Sequence, residues 1–327
     1  MKRRTFLSGI AALPASAALG QTFGQTIGSI VQRPSSRVIV DNDFSGDPDS
    51  LIALTHQLLT PKARTVLVTT SAVAPGLASM AGLDAGQSPM AATRLVSELM
   101  DRLRLAHRPA LVGGRQAFGA GKDSDNAAAR AIVAEALRDD PLPLVLTCGG
   151  PLTNVAAALR LEPRIAKRLK LVWIGGTAAT DAPVEYNLAT DIAAARYVLE
   201  ESKVEVWQVA QEEYMRFQLS VAELTGGFRT ISPVAEWLYS QYLHLPPFVE
   251  LGGSIGFGDS AMVSLTAFGF DATPHTLRRA RKILDDGRYG AEIDGSSIRM
   301  VHGFDVRLNL SDLVALLRAH KVRHDTL

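Results

Sequence analysis

Short runs of apolar, mostly β-branched residues alternate along this chain with longer stretches whose apolar positions recur at helical spacing. The short runs are bounded by Gly, Pro or polar residues and cover residues 38–40, 65–69, 142–146, 171–174 and 204–209. Helical spacing marks residues 89–105, 127–137, 152–161 and 191–199 between them. This alternation predicts β-α-β crossovers, and therefore an α/β fold with a mostly parallel, doubly wound (Rossmann-like) sheet covered by helices on both faces.

The composition favours one large domain. With 327 residues and 47% hydrophobic content the chain can bury a substantial core. The Pro- and Gly-rich stretch 245–258 is typical of a loop rather than a linker, so residues 37–327 are predicted to form a single domain. A net charge of +1 gives no overall attraction to nucleic acid or to an anionic membrane, and neither is expected as a partner. The single cysteine, Cys148, cannot close an intrachain disulfide and is expected to be a small buried residue.

Residues 1–36 have the features of an export signal followed by a flexible lead-in. Arg3 and Arg4 precede Thr-Phe-Leu, as in a twin-arginine signal, although Lys2 stands where that pattern usually has Ser or Thr. The weakly apolar stretch 7–19 is too short to span a bilayer, and its small residues suit signal-peptidase cleavage. The alternative is an ordinary amphipathic helix with a basic start. We expect a periplasmic or secreted protein with no stable membrane association after cleavage.

The first predicted strand ends in the densest acidic cluster of the chain, at the edge of the sheet where such folds bind ligands. Residues 41–50 read DNDFSGDPDS, and the predicted helix 51–59 follows. Four carboxylates on so short a turn repel one another unless a divalent ion or sugar hydroxyls compensate them. An EF-hand is excluded because its twelfth position would be Ile52 instead of Glu. As an alternative, Asp49 could cap the helix and Asp47 favour its dipole, which explains at most two of the four.

Four segments together resemble a known family. They are the acidic loop with its helix (41–54), GGPLTNVA at 149–156 with LRLEP and LVWIGG after it, EYNL at 185–188, and GDS at 258–260. Over roughly residues 37–320 the chain resembles the inosine-uridine-preferring nucleoside hydrolases, in which the third segment is a Glu-Phe-Asn strand and the fourth brings in a late calcium-binding aspartate. The resemblance implies a single α/β domain and a calcium ion that chelates the ribose 2′ and 3′ hydroxyls and a water molecule.

The resemblance also implies a set of metal ligands. Asp43 would hold the ion and act as the general base on the water, while Asp259 and the carbonyl of Gly149 would hold the ion from other sides. This chain has Ser50 where the usual loop has a second ion-binding aspartate, and Asp47 would replace that ligand.

The residues expected to bind the sugar follow from the same resemblance. Asp49 would accept a hydrogen bond from the ribose, and Glu185 and Asn187 would bind the remaining hydroxyls. In an alternative register Asp47 is the ribose-binding acid and Asp49 only a helix cap.

The leaving group is where the chain departs most from the family. Gly258 stands where purine-cleaving members have a His that protonates the departing base. His244, on the predicted helix 233–245, is a candidate substitute, although a lone His there is more often a surface residue. Trp237 and Tyr242 on the same helix would either stack on a base or belong to the core.

These expectations define an exported, calcium-dependent hydrolase of the N-ribosyl bonds of nucleosides or related ribosides. Breaking such a bond passes through an oxocarbenium-like state that nearby carboxylates stabilise. The partner would be a small-molecule nucleoside or riboside. Members of the family often form dimers or tetramers, so the resemblance also implies a homodimer or homotetramer. The alternative function is a non-catalytic periplasmic binding protein for ribosides or sugars on the same fold.

Overall fold

The computed structural model of the protein describes residues 25–27, 30–80, 82, 84–115, 117–119, 123–245 and 252–325. The predicted export signal lies outside these residues. In the segment predicted as a flexible lead-in, two short strands, Gln25–Ile27 (β1) and Ile30–Gln32 (β2), pair antiparallel. No helix of the described ranges is long and apolar enough to cross a membrane.

Most of the remaining strands form one sheet around a central strand that ends in the acidic loop. In chain order they are Ser36–Asn42 (β3), Ala63–Thr70 (β4), Ala110–Gly113 (β5), Leu144–Cys148 (β6), Leu169–Ile174 (β7), Glu205–Val209 (β8), Gln218–Ser220 (β9), Ser254–Gly256 (β10), His275–Arg278 (β11), Arg281–Ile283 (β12), Tyr289–Glu292 (β13) and Ile298–Val301 (β14). Two small antiparallel pairs, β9 with β10 and β12 with β13, stand apart from the main sheet.

The main sheet has eight strands in the order β11-β14-β8-β7-β6-β3-β4-β5. All neighbours from β14 to β5 are parallel, and β11 at the edge is antiparallel to β14. From β3 the chain winds outward through β4 and β5, then returns to β6 on the other side of β3 and winds outward again. The carboxyl ends of β3 and β6 therefore flank the point where the winding reverses, which is where doubly wound sheets bind ligands. The predicted fold is confirmed.

Helices cover both faces of this sheet. They are Asp49–Leu59 (α1), Pro75–Met80 (α2), Ser88–Leu103 (α3), Ala127–Leu137 (α4), Thr153–Leu161 (α5), Tyr186–Thr190 (α6), Ile192–Arg196 (α7), Gln211–Tyr214 (α8), Val221–Gly226 (α9), Pro233–Gln241 (α10), Ser260–Phe268 (α11) and Val306–Asp325 (α12).

The side chains of β3 divide the core into two layers. Val38 and Val40 pack with α1, α3, α10, α11 and α12 on one face, whereas Ile39 between them packs with α4, α5 and α7 on the other. Because successive residues of a strand point to opposite faces, burial on both sides favours apolar residues at successive positions. This explains the continuous apolar runs from which the strands were predicted.

Candidate active site

Asp41, the first aspartate after the apolar part of β3, has its carboxylate hydrogen-bonded to other side chains of the protein. Asp41 is completely buried, and the sheet register places it level with Thr69 on β4 and Cys148 on β6. Its Oδ1 accepts hydrogen bonds from Thr69 Oγ1 at 2.5 Å and Asn154 Nδ2 at 2.8 Å, and Cys148 Sγ lies 3.5 Å from Oδ2. Burial raises the pKa of Asp41 to about 6, and these three bonds oppose the rise. Asp41 therefore ties three elements together, and Cys148 is buried as expected.

The next two residues bring the acidic loop against the start of α11. The Asn42 side chain donates from Nδ2 to Asp259 Oδ2 at 2.7 Å, and its Oδ1 accepts the backbone N–H of Asp43 at 2.9 Å. Asn42, Asp43 and Asp259 are all buried. The structure therefore places Asp43 and Asp259, the two predicted metal ligands furthest apart in sequence, on either side of one amide group.

Asp49 is the first residue of α1, and it does not cap that helix. The cap position is held by Pro48, which forms no side-chain cap bond, and Asp49 lies inside the helix, so the helix-cap alternative for Asp49 is wrong. Its Oδ2 instead accepts the backbone N–H of Asp259 at 3.1 Å. Asp47 is exposed, and its Oδ1 accepts the Asp49 N–H at 3.2 Å. Asp47 therefore fixes the turn that aims Asp49 at Asp259.

Glu185 and Asn187 converge on the same place from the loop after β7. The segment around them, expected to resemble a strand, instead forms the cap and first turn of α6, because Glu185 Oε2 accepts the N–H groups of Gly176 at 2.8 Å and Leu188 at 3.1 Å. Asn187 Nδ2 donates to the carbonyls of Gly149 and Ile174, both at 3.0 Å. Asn187 thereby fixes the direction of the Gly149 carbonyl.

Gly149 is required at its position by the close approach of its neighbours. A Cβ there would lie 2.4 Å from Asn42 Nδ2 and 2.9 Å from Asp259 Oδ1, closer than such atoms can come. Any side chain would therefore displace the amide that joins Asp43 to Asp259. Only the carbonyl of Gly149, a group that any residue carries, was named from the sequence.

These residues surround one cavity of about 300 Å³ at the carboxyl ends of β3, β6 and β7. Carboxylates form one part of its wall and apolar side chains the other. The residues lining it are Asp43, Gly46, Asp47, Asp49, Leu77, Gly149, Ile174, Glu185, Tyr186, Asn187, Tyr214, Met215, Gly256, Gly258 and Asp259. The cavity thus brings together all the predicted site residues except His244.

The predicted leaving-group residues lie elsewhere. His244 is exposed at the end of a 3₁₀ turn after α10 and is not among the described residues that line the cavity. Trp237 and Tyr242 are buried in the core. Sequence reasoning missed Tyr214, which lines the cavity and donates its hydroxyl to Glu185 Oε1 at 2.9 Å. The signal for it was positional, because Tyr214 follows the end of β8 by a few residues on the ligand-binding edge of the sheet.

The charge of the cavity favours a cation. Within the described part of the chain, no Lys, Arg or His forms an ion pair with Asp43, Asp49 or Asp259. Burial, followed by repulsion from Asp259, raises the pKa of both Asp43 and Asp49 well above its usual value. Burial raises the pKa of Asp259 to about 7, although the hydrogen bond from Asn42 acts to lower it.

The arrangement of these oxygens limits how an ion would be held. No group of three or more His, Cys, Asp or Glu residues among those described is placed to hold one metal ion, so Asp47 does not complete a set with Asp43 and Asp259. Two carboxylates and the oriented carbonyl of Gly149 remain, and oxygen donors of this kind fit a hard ion such as Ca²⁺ when water or substrate supplies the rest.

Comparison with known proteins identifies the class. The family model of the inosine-uridine preferring nucleoside hydrolases matches residues 38–244. The chain belongs to this family and is a nucleoside N-ribohydrolase, an enzyme class that acts on small-molecule nucleosides and is generally metal-dependent. The resemblance seen in the sequence is confirmed.

Solved structures share the fold over most of their length. An inosine-uridine preferring nucleoside hydrolase from Bacillus anthracis is 16% identical, with a TM-score of 0.65 over 86% of this chain and 99% of that one. A purine-preferring ribonucleoside hydrolase from Gardnerella vaginalis is 18% identical, with a TM-score of 0.65 over 88% and 99%. The type III effector protein XopQ, complexed with adenosine diphosphate ribose, is 16% identical, with a TM-score of 0.60 over 89% and 94%. A search of curated proteins finds no match.

Proposed function

We propose that this protein is an exported, calcium-dependent hydrolase that releases ribose from nucleosides or related ribosides. The observation that carries the proposal is the group of buried carboxylates without ion-pair partners in the described structure, Asp43, Asp49 and Asp259, around a cavity at the reversal point of the sheet. Burying such charges is costly unless a cation or ligand hydroxyls compensate them. A ribose with its hydroxyls, together with one divalent ion, supplies both.

Asp43 is the residue best suited to act as the general base. It lines the cavity, and no described side chain donates a hydrogen bond to its carboxylate, in contrast to Asp41 two residues earlier. A base needs an unengaged oxygen that faces the water it deprotonates. Asp43 meets this requirement and Asp41 does not.

Calcium is supported by the chemistry of the donors. Asp43, Asp259 and the Gly149 carbonyl are all oxygen ligands, which suit Ca²⁺ better than zinc. A calcium ion bound there would lower the pKa of a water molecule and bind ribose hydroxyls. In this chain, Asn187 aims the carbonyl and Asn42 aims Asp259, so two neutral amides orient the ligands without adding charge. Asp47 would join the ligands only by turning inward from its exposed position.

The sugar has three partners in the cavity. Asp49 and Glu185 each present a carboxylate, and Asn187 keeps its Oδ1 for a hydroxyl because its Nδ2 already donates to two carbonyls. A sugar hydroxyl would share Glu185 Oε1 with Tyr214, since the other oxygen is occupied by two backbone N–H groups. These carboxylates also stabilise the positive charge that develops on the ribosyl ring.

The substrate panel should reach beyond nucleosides. Gly258 supplies no acid beside Asp259, so substrates with an activated leaving group are favoured. The solved structure of XopQ with adenosine diphosphate ribose makes that compound a further candidate ligand.

Export is supported by Arg3 and Arg4 together with the short apolar stretch after them.

A reducing-sugar assay on the purified mature protein tests the activity. Inosine, uridine, nitrophenyl riboside and adenosine diphosphate ribose are each incubated with calcium or with a chelator. We expect ribose release from at least nitrophenyl riboside, its loss with chelator, and its loss in Asp43→Asn. Asp294→Asn, which changes an exposed carboxylate outside the cavity, is the matched control and should be fully active. Tight binding of ribosides with no release would instead favour the riboside-binding protein.

Fractionation of cells tests export separately. We expect the protein in the periplasm, and its loss from there when Arg3 and Arg4 are both changed to Lys. An unchanged periplasmic yield of that variant would contradict the twin-arginine route.

A further inference from the structure

Gly258 and Tyr214 meet at the part of the cavity next to Asp259. A Cβ built on Gly258 would lie 3.0 Å from Tyr214 Cδ2 and 3.5 Å from Asp49 Oδ2. The first distance is tighter than ordinary van der Waals contact, and both neighbours line the cavity. The direction in which a side chain at position 258 would project is therefore already occupied by the Tyr214 ring.

The Tyr214 ring is fixed from both ends. Its backbone belongs to α8, where its N–H bonds to the carbonyl of Ala210 at 3.1 Å and its own carbonyl accepts the N–H of Phe217 at 3.0 Å. The carbonyl of Phe217 in turn accepts the N–H of Phe257 at 2.7 Å, which holds the segment just before Gly258 against this turn. At the far end, the Tyr214 hydroxyl donates to Glu185 Oε1 at 2.9 Å.

We propose that Tyr214 is the specificity-determining residue for the aglycone: its ring, in place of a side chain at position 258, forms the wall against which an aromatic leaving group packs. This rests on the proposed function, and it assigns two parts of one side chain to two parts of the substrate. The hydroxyl positions Glu185 for the sugar, and the ring contacts the aglycone.

The surroundings of the ring indicate an aromatic aglycone. Leu77, Tyr186 and Met215 line the same cavity, and Tyr186 and Met215 keep 37% and 53% of their surface exposed. Apolar side chains around a tyrosine face favour a flat ring, which packs against aromatic surfaces in offset or edge-to-face geometry. Because the Tyr214 hydroxyl donates to Glu185, its proton is directed towards the sugar side of the cavity, and the contribution to the leaving group is packing.

A double-mutant cycle measured by thermal unfolding tests whether a side chain at position 258 and the Tyr214 ring compete for the same space. It needs no assay of activity. Gly258→Ala should lower the Tm by a few degrees in the otherwise unchanged protein and in Tyr214→Phe, which keeps the ring, but not in Tyr214→Ala. Gly256→Ala is the matched control, because a Cβ at this nearby cavity residue meets nothing within 4 Å. The interaction measured by the cycle reports the contact itself. An equal effect of Gly258→Ala with and without the ring overturns the steric part of the proposal.

Substrate binding tests the division of roles. With nitrophenyl riboside as substrate and free ribose as competitive inhibitor, Tyr214→Phe should raise the KM and the ribose inhibition constant by similar factors, because both ligands depend on Glu185. Tyr214→Ala should raise the KM for nitrophenyl riboside by about tenfold beyond Tyr214→Phe, as expected for an aromatic contact, with no further change for ribose. Equal constants for the Ala and Phe variants on the riboside overturn the aglycone role.

The same comparison works if the proposed hydrolase activity fails. Calorimetric titration of ribose and nitrophenyl riboside into the same variants then replaces KM and the inhibition constant. Riboside binding that is weaker in Tyr214→Ala than in Tyr214→Phe, without turnover, supports the role of Tyr214 and contradicts the proposed function alone. Absence of binding by either compound contradicts both.

Discussion

Two aspartates at the end of the same strand have opposite environments. Asp41 has Thr69, Asn154 and Cys148 around its carboxylate, whereas Asp43 faces the cavity and other acids. Both are buried, and in both cases burial raises the pKa. The difference lies in whether the protein itself satisfies the carboxylate. A satisfied buried acid holds the fold, and an unsatisfied one is available for chemistry.

The largest expected effect is on catalysis, and of these two aspartates only Asp43 takes part in it directly. Asp43→Asn should lower the rate of ribose release by about 10²- to 10⁴-fold, because the amide cannot accept the proton from water. Its Tm should stay the same or rise, since one of several repelling carboxylates is removed. Initial rates and thermal unfolding of one preparation measure both. A variant that retains most of its activity would show that Asp43 is not the base.

Asp41→Asn should show the reverse pattern. Its amide oxygen can stay at the Oδ1 position, where Thr69 and Asn154 donate, but its Nδ2 then replaces Oδ2 and faces the Cys148 thiol, which is a weak acceptor. An unsatisfied buried polar group costs about 1–3 kcal/mol. Denaturant unfolding should therefore show a loss of stability of this size, which Asp43→Asn does not show. Equal stability of the two variants would remove the distinction between the two aspartates.

A smaller effect is expected on the pH dependence of stability without metal. The pKa of Asp259 in the fold is about 7, above its value of about 3.9 in an unfolded chain. The stability that protonated Asp259 contributes is therefore complete below about pH 4 and is lost as the pH rises through 7. The Tm of chelated protein should fall between pH 5 and pH 8, and calcium should restore it most at pH 8. A chelated protein that becomes more stable across this range would contradict the unpaired acidic cluster.

The smallest effect is expected at His244, which is exposed outside the cavity. Nitrophenyl riboside should be cleaved far faster than inosine, because no acid stands beside Asp259. His244→Ala should leave the ratio of the two rates within about twofold, since general acid catalysis by this residue would be worth ~10²- to 10⁴-fold. Selective slowing of inosine in this variant would instead identify His244 as the leaving-group acid.

The sequence was most informative where one interaction decides the structure. The apolar runs within β3, β6 and β7 were predicted because burial on both faces favours apolar residues at successive positions. The edge strand β11, with every residue exposed, and the short β14 carry no such pattern and were missed. Their place in the sheet depends on pairing with distant strands, which periodicity does not report.

The same distinction holds for the site. The acidic loop and the late aspartate are visible as motifs, so Asp43, Asp49 and Asp259 could be named in advance. Asn42, Tyr214 and the need for Gly149 could not, because each depends on a contact between segments far apart in the chain. The strand expected around Glu185 was carried over from the family resemblance, whereas the Glu185 side chain here caps a helix by accepting the N–H of Leu188.

The central claim is that the acids around Asp43 form a calcium site required for ribosyl hydrolysis. Its most direct test is a calcium titration of chelated protein in which binding heat and ribose release from nitrophenyl riboside are followed together. We predict one site per chain, activity that rises in proportion to its occupancy, and the loss of binding in Asp43→Ala with Asp294→Asn unchanged. Full activity without calcium, or undiminished calcium binding by Asp43→Ala, would contradict the account.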